Sequence, residues 1–221
     1  MFFKRRPPEA EKPERLAPQA AYALWAATYP PRPHNTLMEA EHASMLDLLP
    51  HVTGLNALDA GCGTGRYLKV LRDRGAHALG VDQSEAMIRR ARTVSIRVAC
   101  ADLRALPMRE SSMDVVVSGL ALGDVADLRA AVAELARVLK PGGRLVYSVV
   151  HPDGKAAGWL RTFEAGGRTW EVESHWHSRD EHGRACAAAG LEIEEHREPV
   201  VASADGGKTA AAFVLRAVRR R

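Results

Sequence analysis

The residues best suited to chemistry lie in one glycine-rich turn and at two apolar run ends beyond it. The turn Leu58-Asp59-Ala60-Gly61-Cys62-Gly63-Thr64-Gly65 follows an apolar run, Val52 to Leu58, and opens a helical pattern, Arg66 to Arg74. Read as strand, tight turn and helix, it puts three glycines where backbone N–H groups come close to a ligand. The helix N-terminus behind them favours a negative ligand group. The spacing is G-x-G-x-G, whereas dinucleotide folds use G-x-G-x-x-G. No G-x-x-x-x-G-K-[ST] phosphate loop occurs in the chain. Asp59, two residues before the first glycine, contributes nothing to a phosphate but suits a ligand carrying an ammonium group. Asp82 ends the run Ala78-Leu79-Gly80-Val81, where a carboxylate accepts hydrogen bonds from ribose hydroxyls. Asp102 ends a third run, Ile96 to Ala101. Three successive strand ends, each bearing an aspartate, describe a site for a ligand with an amino-acid end, a sugar and a base.

These residues need a scaffold that gathers strand ends, and the alternation of patterns supplies one. Strands are expected at 55–59, 77–81, 95–100, 114–119 and 144–150, with helices at 66–74, 84–92 and 126–138. Strands apolar on both faces belong to a sheet covered by helices. The expected fold is therefore α/β: a doubly wound, mostly parallel seven-stranded sheet with a reversed edge strand, plus an N-terminal helical lid. Glu192–Glu198 and Ala210–Val218 supply the reversed pair. Ligands in such sheets bind beyond the carboxyl ends of the strands. Ser84 is expected to cap one helix, and Thr36 another, with Glu39 completing a capping box. Ser178 and Glu181 form a second box. Pro141-Gly142-Gly143 is expected to end the long helix after Lys140.

In these residues the chain resembles the class I S-adenosylmethionine-dependent methyltransferases, in particular the ubiquinone/menaquinone-type small-molecule branch. Beside the turn, the matching pieces are Gly80-Val81-Asp82-Gln83-Ser84, Ala101-Asp102-Leu103-Arg104-Ala105-Leu106-Pro107, Asp114-Val115-Val116-Val117-Ser118, and Leu135 to Gly143. They come in family order and cover roughly residues 20–150. The resemblance implies S-adenosyl-L-methionine as cofactor. It puts Asp59, Gly61, Gly63 and Gly65 at the methionine end, with Cys62 present for its backbone. Asp82 would hold the ribose with Gln83 beside it, Asp102 and Leu103 would border the adenine, and Ser118 would line the next strand end. Tyr22 and Tyr29, with Trp25, form an aromatic stripe at i, i+3 and i+7 on a helix from Gln19 to Thr28. The stripe either packs on the main sheet or closes over the cofactor, as the resembling family uses its leader. One departure is Gly123, standing near a place where many family members carry a histidine.

The acceptor side is less patterned. His151 ends the fifth expected strand and is the first choice for a general base, the alternative being a histidine hydrogen-bonded at a strand end. Residues 152–177 replace a plain connection and are expected to form an acceptor-side insertion, loop-like to Gly167 and extended from Arg168. His34, Trp159, Trp170 and His175 are the candidate acceptor contacts. His175 and His177, with His182 as a third, have an H-x-H arrangement open to a metal, but no nearby Cys or Asp completes a tight cluster, so no metal is expected.

The chain has 221 residues, 46% hydrophobic and 26% charged, which fits a single domain over 19–221 with a lid at 19–50. Residues 1–18, rich in proline and charge, are expected to be a disordered leader. Net charge is +4, but the basic excess clusters at Lys4-Arg5-Arg6 and Arg219-Arg220-Arg221, without interleaved aromatics, so no nucleic-acid partner is expected. Three dispersed cysteines, no apolar signal core and no spanning run suggest a cytoplasmic protein without membrane insertion. The oligomeric state stays open. The expected activity is methyl transfer to an oxygen or nitrogen of a small-molecule acceptor. The alternatives are a nicotinamide-dependent oxidoreductase, a non-catalytic cofactor-binding module and a nucleic-acid methyltransferase.

Overall fold

The computed structural model describes residues 2–5, 13–202 and 206–221, the first of these segments as backbone alone. Its main sheet is built from β3 (Asn56–Ala60), β4 (His77–Asp82), β5 (Val98–Cys100), β6 (Met113–Gly119), β7 (Leu139–Val150), β10 (Leu191–Arg197) and β13 (Ala212–Arg219). The spatial order is β10-β13-β7-β6-β3-β4-β5. From β7 to β5 all neighbours are parallel, and β13 runs antiparallel between β7 and β10. The sheet is thus seven-stranded and mostly parallel, as expected, with the reversed strand inserted beside the edge.

Helices cover both faces because the strands alternate nothing: Leu58, Val116, Leu145 and Val146 are all buried. On one face α2 (Thr36–Leu48) and α3 (Arg66–Asp73) pack Met45, Leu48, Leu68 and Leu71 against Val115, Val117 and Val214. On the other, α5 (Leu128–Val138) and α6 (Arg179–Ala188) pack Val132, Leu135 and Cys186 against Val116, Tyr147 and Leu215. The chain runs outward from β3 to β5, then returns to place β6 on the opposite side of β3. That reversal opens a crevice beyond the carboxyl ends of β3 and β6.

The caps hold with one change. Ser84 accepts from Met87 N at the start of α4 (Glu85–Ala91), and Ser178 with Glu181 forms the full capping box of α6. At α2 the cap is Asn35 rather than Thr36: Asn35 has extended backbone, and its Oδ1 accepts from Met38 N at 2.8 Å. The α5 helix ends at Val138, where the expected span 126–138 ends and short of a stop after Lys140, and the chain enters β7 at once.

A second, four-stranded sheet corrects two expectations. Its order is β1 (Phe2–Arg5), β8 (Trp159–Ala165), β9 (Arg168–Val172), β2 (Glu14–Leu16). Residues 152–167 are therefore not simply loop: β8 and β9 form a hairpin closed by Gly166 and Gly167, both with positive φ as a two-residue turn requires. The described parts of the expected disordered leader are paired, β1 with β8 and β2 with β9, because each covers an edge of the hairpin. Pro7 and Pro8 lie outside the described residues. Helix α1 (Pro18–Trp25) packs Ala21 and Trp25 on this small sheet, with Trp25 stacked on Phe163 at 4.8 Å. The remaining strands, β11 (Val200–Ala202) and β12 (Lys208–Ala210), pair with each other. Among the described residues no helix is long and apolar enough to cross a membrane.

Candidate functional site

A cavity lies in the crevice between the main sheet and α1. Its donor-side wall comprises Gly61, Gly63, Asp82, Gln83, Asp102 and Leu103; Tyr22, Tyr29, Asp124 and Arg161 close the opposite side. The glycine turn shapes it through backbone. Gly61 has φ 77°, and a Cβ there would sit 2.4 Å from the Ala121 Cβ. Gly63 has φ 53° with no atom within 4 Å of where a Cβ would stand, so the cavity floor is bare backbone. Gly65 also takes a positive φ at the N-cap of α3.

The three aspartates divide their work. Asp82 accepts from Gly63 N and Ser84 N, both at 2.8 Å, and faces the cavity. Burial pushes its carboxyl up to about 6, against the pull of those two N–H groups. Asp102 is held by Arg104, which keeps it below the usual carboxylate range, and it also lines the cavity. Asp59 does not. It is 1% exposed, its Oδ2 accepts from Leu68 N at 2.7 Å, and burial pushes it up to about 7. Asp59 thus fixes α3 to the turn through Oδ2, beneath the cavity surface and not on it.

Other sequence candidates separate in the same way. Cys62 packs its side chain against Ile88 and Ala91, away from the cavity, and burial raises its thiol. Ser118 is fully buried, and its Oγ has no hydrogen-bond partner among the described residues. Tyr22 and Tyr29 face the cavity, while Trp25 packs on the hairpin and not on the main sheet that was the expected alternative. Burial raises both tyrosine hydroxyls and keeps them protonated. His151 is 1% exposed and absent from the wall; its Nδ1 accepts from Asp153 N at 3.3 Å, and its Nε2 lies 3.4 Å from Glu198. The base assignment is therefore corrected to a strand-end role. His34 stands edge-on to Trp25 and Tyr29 behind the cavity. Trp170 donates to Ala165 O inside the hairpin sheet, outside the wall. Trp159 and His175 line a neighbouring hollow, where His175 stacks near His177.

The cavity also holds a charged cluster that is absent from the candidates named from the sequence. Arg161, on β8, donates through Nη1 to Asp124 and through Nη2 to the Tyr22 hydroxyl at 2.6 Å. Tyr22 donates in turn to Asp124 Oδ2 at 2.9 Å. A second buried group, Glu41, accepts from Arg66 at 2.7 Å, Tyr67 at 2.9 Å and Ser148 at 2.5 Å, and ties α2 to α3 and β7. Arg90 of α4 donates to the carbonyls of Ala26 and Ala27, latching the end of α1 over the cavity. An arginine inside an apolar alternation, as in Leu160-Arg161-Thr162-Phe163, was the available signal for Arg161.

A bare glycine floor, an aspartate at the second strand end and an Asp-Leu pair at the third fit an amino-acid end, a ribose and a base, and hence S-adenosylmethionine. Fold and site together resemble those of the S-adenosylmethionine-dependent methyltransferases, of Rossmann-like α/β architecture. Residues 58–147 match the family model described as a methyltransferase domain. The malonyl-[acyl-carrier protein] O-methyltransferase of Enterobacter lignolyticus strain SCF1 is 32% identical over 142 residues, 63% of this chain and 56% of that protein. The protein of the same description from Serratia marcescens is 34% identical over 126 residues, 56% of this chain and 47% of that one. The chain thus spans about half the length of these curated relatives. Their descriptions do not carry the ubiquinone/menaquinone branch. Among solved structures, an S-adenosylmethionine-dependent methyltransferase from Mesorhizobium loti superposes with TM-score 0.67 at 27% identity, covering 81% of this chain and 98% of that one. A second, from Listeria monocytogenes, reaches 0.69 at 21% identity over 83% and 99%.

Proposed function

We propose that this chain transfers the methyl group of S-adenosylmethionine to an oxygen of a small-molecule acceptor. The observation that carries the reading is the bare-backbone floor at Gly61 and Gly63 with Asp82 at the second strand end, a cradle matched to the donor. S-adenosylmethionine supplies a methyl group already activated on a sulfonium sulfur. The residues of the chain then have to bind, align and exclude water. Alignment of this kind is worth up to ~7–11 kcal/mol. Tyr22 and Tyr29, latched through α1 by Arg90, cover the cavity against solvent. Oxygen is favoured over nitrogen by the curated relatives, whose descriptions name O-methyltransferases.

Calorimetric titration with S-adenosylhomocysteine tests the donor. Binding is expected, with no uptake of a nicotinamide dinucleotide, and Asp82→Ala should weaken it by about 1–3 kcal/mol through lost ribose hydrogen bonds. Unchanged affinity in that variant contradicts the assignment of Asp82. Uptake of the dinucleotide in place of the sulfur ligand overturns the whole reading.

A further inference from the structure

Donor binding leaves the far side of Arg161 unused. A hollow of about 590 Å³ opens there, and a crevice joins it to the donor cavity. The crevice shares Leu120 and Val150 with the cavity and residues 174–177 with the hollow, while Arg161 borders all three. Trp159, Trp176 and the imidazoles of His175 and His177 give the hollow flat aromatic walls. Arg161 is 4% exposed and commits its Nη groups to Asp124, Tyr22 and Ser174. Its Nε–H is buried without a partner among the described residues. A buried guanidinium donor left unpaired calls for an explanation, and an acceptor oxygen provides one.

A proton acceptor stands at the same junction. Asp82, Asp102 and Asp124 line the donor cavity, but each carboxylate is already engaged. Asp82 accepts from two backbone N–H groups, Asp102 from Arg104, and Asp124 from Arg161 and Tyr22. In the hollow, Glu171 is paired with Arg15, and Lys155 carries an ammonium group with no lone pair to give. His177 commits Nε2 to the Val125 carbonyl. His175 differs: its backbone N–H donates to Gly123 O at 2.8 Å, next in sequence to Asp124 of the donor cavity. Its ring nitrogens make no hydrogen bond among the described residues, and the ring lines both crevice and hollow. Gly123 also lines the crevice and has no atom within 4 Å of where a Cβ would stand, so position 123 puts no side chain into the passage.

Resting on the oxygen-transfer reading above, we infer that the acceptor is a phenol seated in the hollow, with His175 as its general base and Arg161 as the partner of its oxygen. The hydroxyl oxygen uses a lone pair to form the new O–CH3 bond, the methyl C–S bond breaks, and its electron pair stays on sulfur. The hydroxyl proton passes to a ring nitrogen of His175. A sulfonium, a phenol and an imidazole become a thioether, an aryl methyl ether and an imidazolium, so charge is conserved. The Arg161 Nε–H stabilises the negative charge that grows on oxygen as the proton leaves. A base contributes about 100- to 10,000-fold where the acceptor must lose a proton, and has nothing to remove where the acceptor is already ionised.

The test gives the full chain S-adenosylmethionine and a panel of probes: 4-methylphenol, 4-nitrophenol, benzoate, cyclohexanol and benzylamine. Products are read by mass spectrometry, and methyl ethers of the two phenols are expected. In mildly alkaline buffer 4-methylphenol keeps its proton, as a tyrosine side chain does, whereas 4-nitrophenol is mostly ionised. His175→Ala and His175→Gln should therefore lower kcat/KM for 4-methylphenol about 100-fold or more, and for 4-nitrophenol less than about fivefold. Affinity for S-adenosylhomocysteine should stay within about threefold in both variants. His177→Ala should leave the ratio of the two phenols unchanged. Equal losses on both phenols in the His175 variants would show a structural histidine and overturn the base assignment. So would no loss on either phenol, or the selective loss appearing in His177→Ala instead. Methylation of benzoate, cyclohexanol or benzylamine in place of the phenols overturns the acceptor class, as does donor binding with no transfer to any probe. Failure to bind S-adenosylhomocysteine at all overturns the donor reading instead, and this inference falls with it.

Discussion

Around the donor wall, Asp82 on its surface and Asp59 beneath it accept from backbone N–H groups 19 and 2 positions away and 9 positions away respectively, and the turn between them exposes glycine backbone. On the acceptor wall, Tyr22 and Arg161 meet across 139 positions, with Asp124 between them, and every contact is made by a side chain. The first wall is a local property of one strand-turn-helix unit and its neighbour. The second depends on the hairpin, α1 and the loop after β6 arriving at one point. A fold built this way can change its acceptor by replacing a few side chains while the donor cradle stays as it is. The expected consequence is unequal sensitivity: the acceptor wall fails through one charge pair, and the donor wall through backbone.

The largest effect should come from breaking the charge pair. Asp124→Ala leaves the Arg161 guanidinium buried without its carboxylate, a change expected to cost about 3–5 kcal/mol in urea denaturation. Asp124→Asn, which keeps an acceptor for Nη1, should cost clearly less. If the two variants are equally stable, the pair contributes by shape and not by charge, and the contrast between the walls loses its basis.

Next in size is a pH dependence centred on Asp59, beneath the donor wall. Burial pushes Asp59 up to about 7, so the folded chain keeps a proton that the unfolded chain releases near pH 4. The stability this group contributes is complete below about pH 4 and is lost as pH rises through about 7. Asp59→Asn keeps an oxygen for Leu68 N and has no proton to lose. Between pH 4 and pH 8 the native chain should therefore lose about 2–4 kcal/mol relative to the variant. A difference that is flat with pH would mean that Asp59 is ionised in the fold.

Two glycines on the floor separate fold from binding. Gly61→Ala drives a Cβ to 2.4 Å from Ala121 at a positive φ, so thermal unfolding should report a loss of about 1–3 kcal/mol. Gly63→Ala meets open space, and only its positive φ counts against it, so stability should fall by about 1 kcal/mol while donor affinity falls more. Equal losses of stability in both would show that the floor is less constrained than its geometry states.

The same contrast explains how much the sequence could reveal. Parallel strands covered on both faces leave unbroken apolar runs, and an aspartate at the end of such a run announces itself; Asp82, Asp102 and the glycine turn were legible for that reason. Ser178 and Glu181 were legible because a capping box is four residues long. Arg161 was not, since its value lies in Asp124 and Tyr22, and nothing local records a meeting across 139 positions. The hairpin was half visible in Gly166-Gly167, but edge strands supplied by residues near the N-terminus have no signature of their own. His151 was misassigned because a position at a strand end says which edge a residue occupies, not which way its ring turns: Asp153 N and Glu198 draw it away from the cavity.

The smallest expected effect concerns the joint between the walls. Arg90 belongs to α4, beside the donor cradle, yet its guanidinium holds the carbonyls of Ala26 and Ala27 at the end of α1, which carries Tyr22 over the cavity. Those carbonyls belong to the last turn and its exit, where a cation also complements the helix dipole. Arg90→Met keeps the apolar stem and removes the latch, at a cost of about 1 kcal/mol. The fold should survive. Dissociation of S-adenosylhomocysteine, followed by displacement in a stopped-flow instrument, should quicken about fivefold with little change in the association rate. An unchanged dissociation rate would mean that Tyr22, through Asp124 and Arg161, holds α1 closed unaided, and that the acceptor wall rather than the donor wall controls the lid.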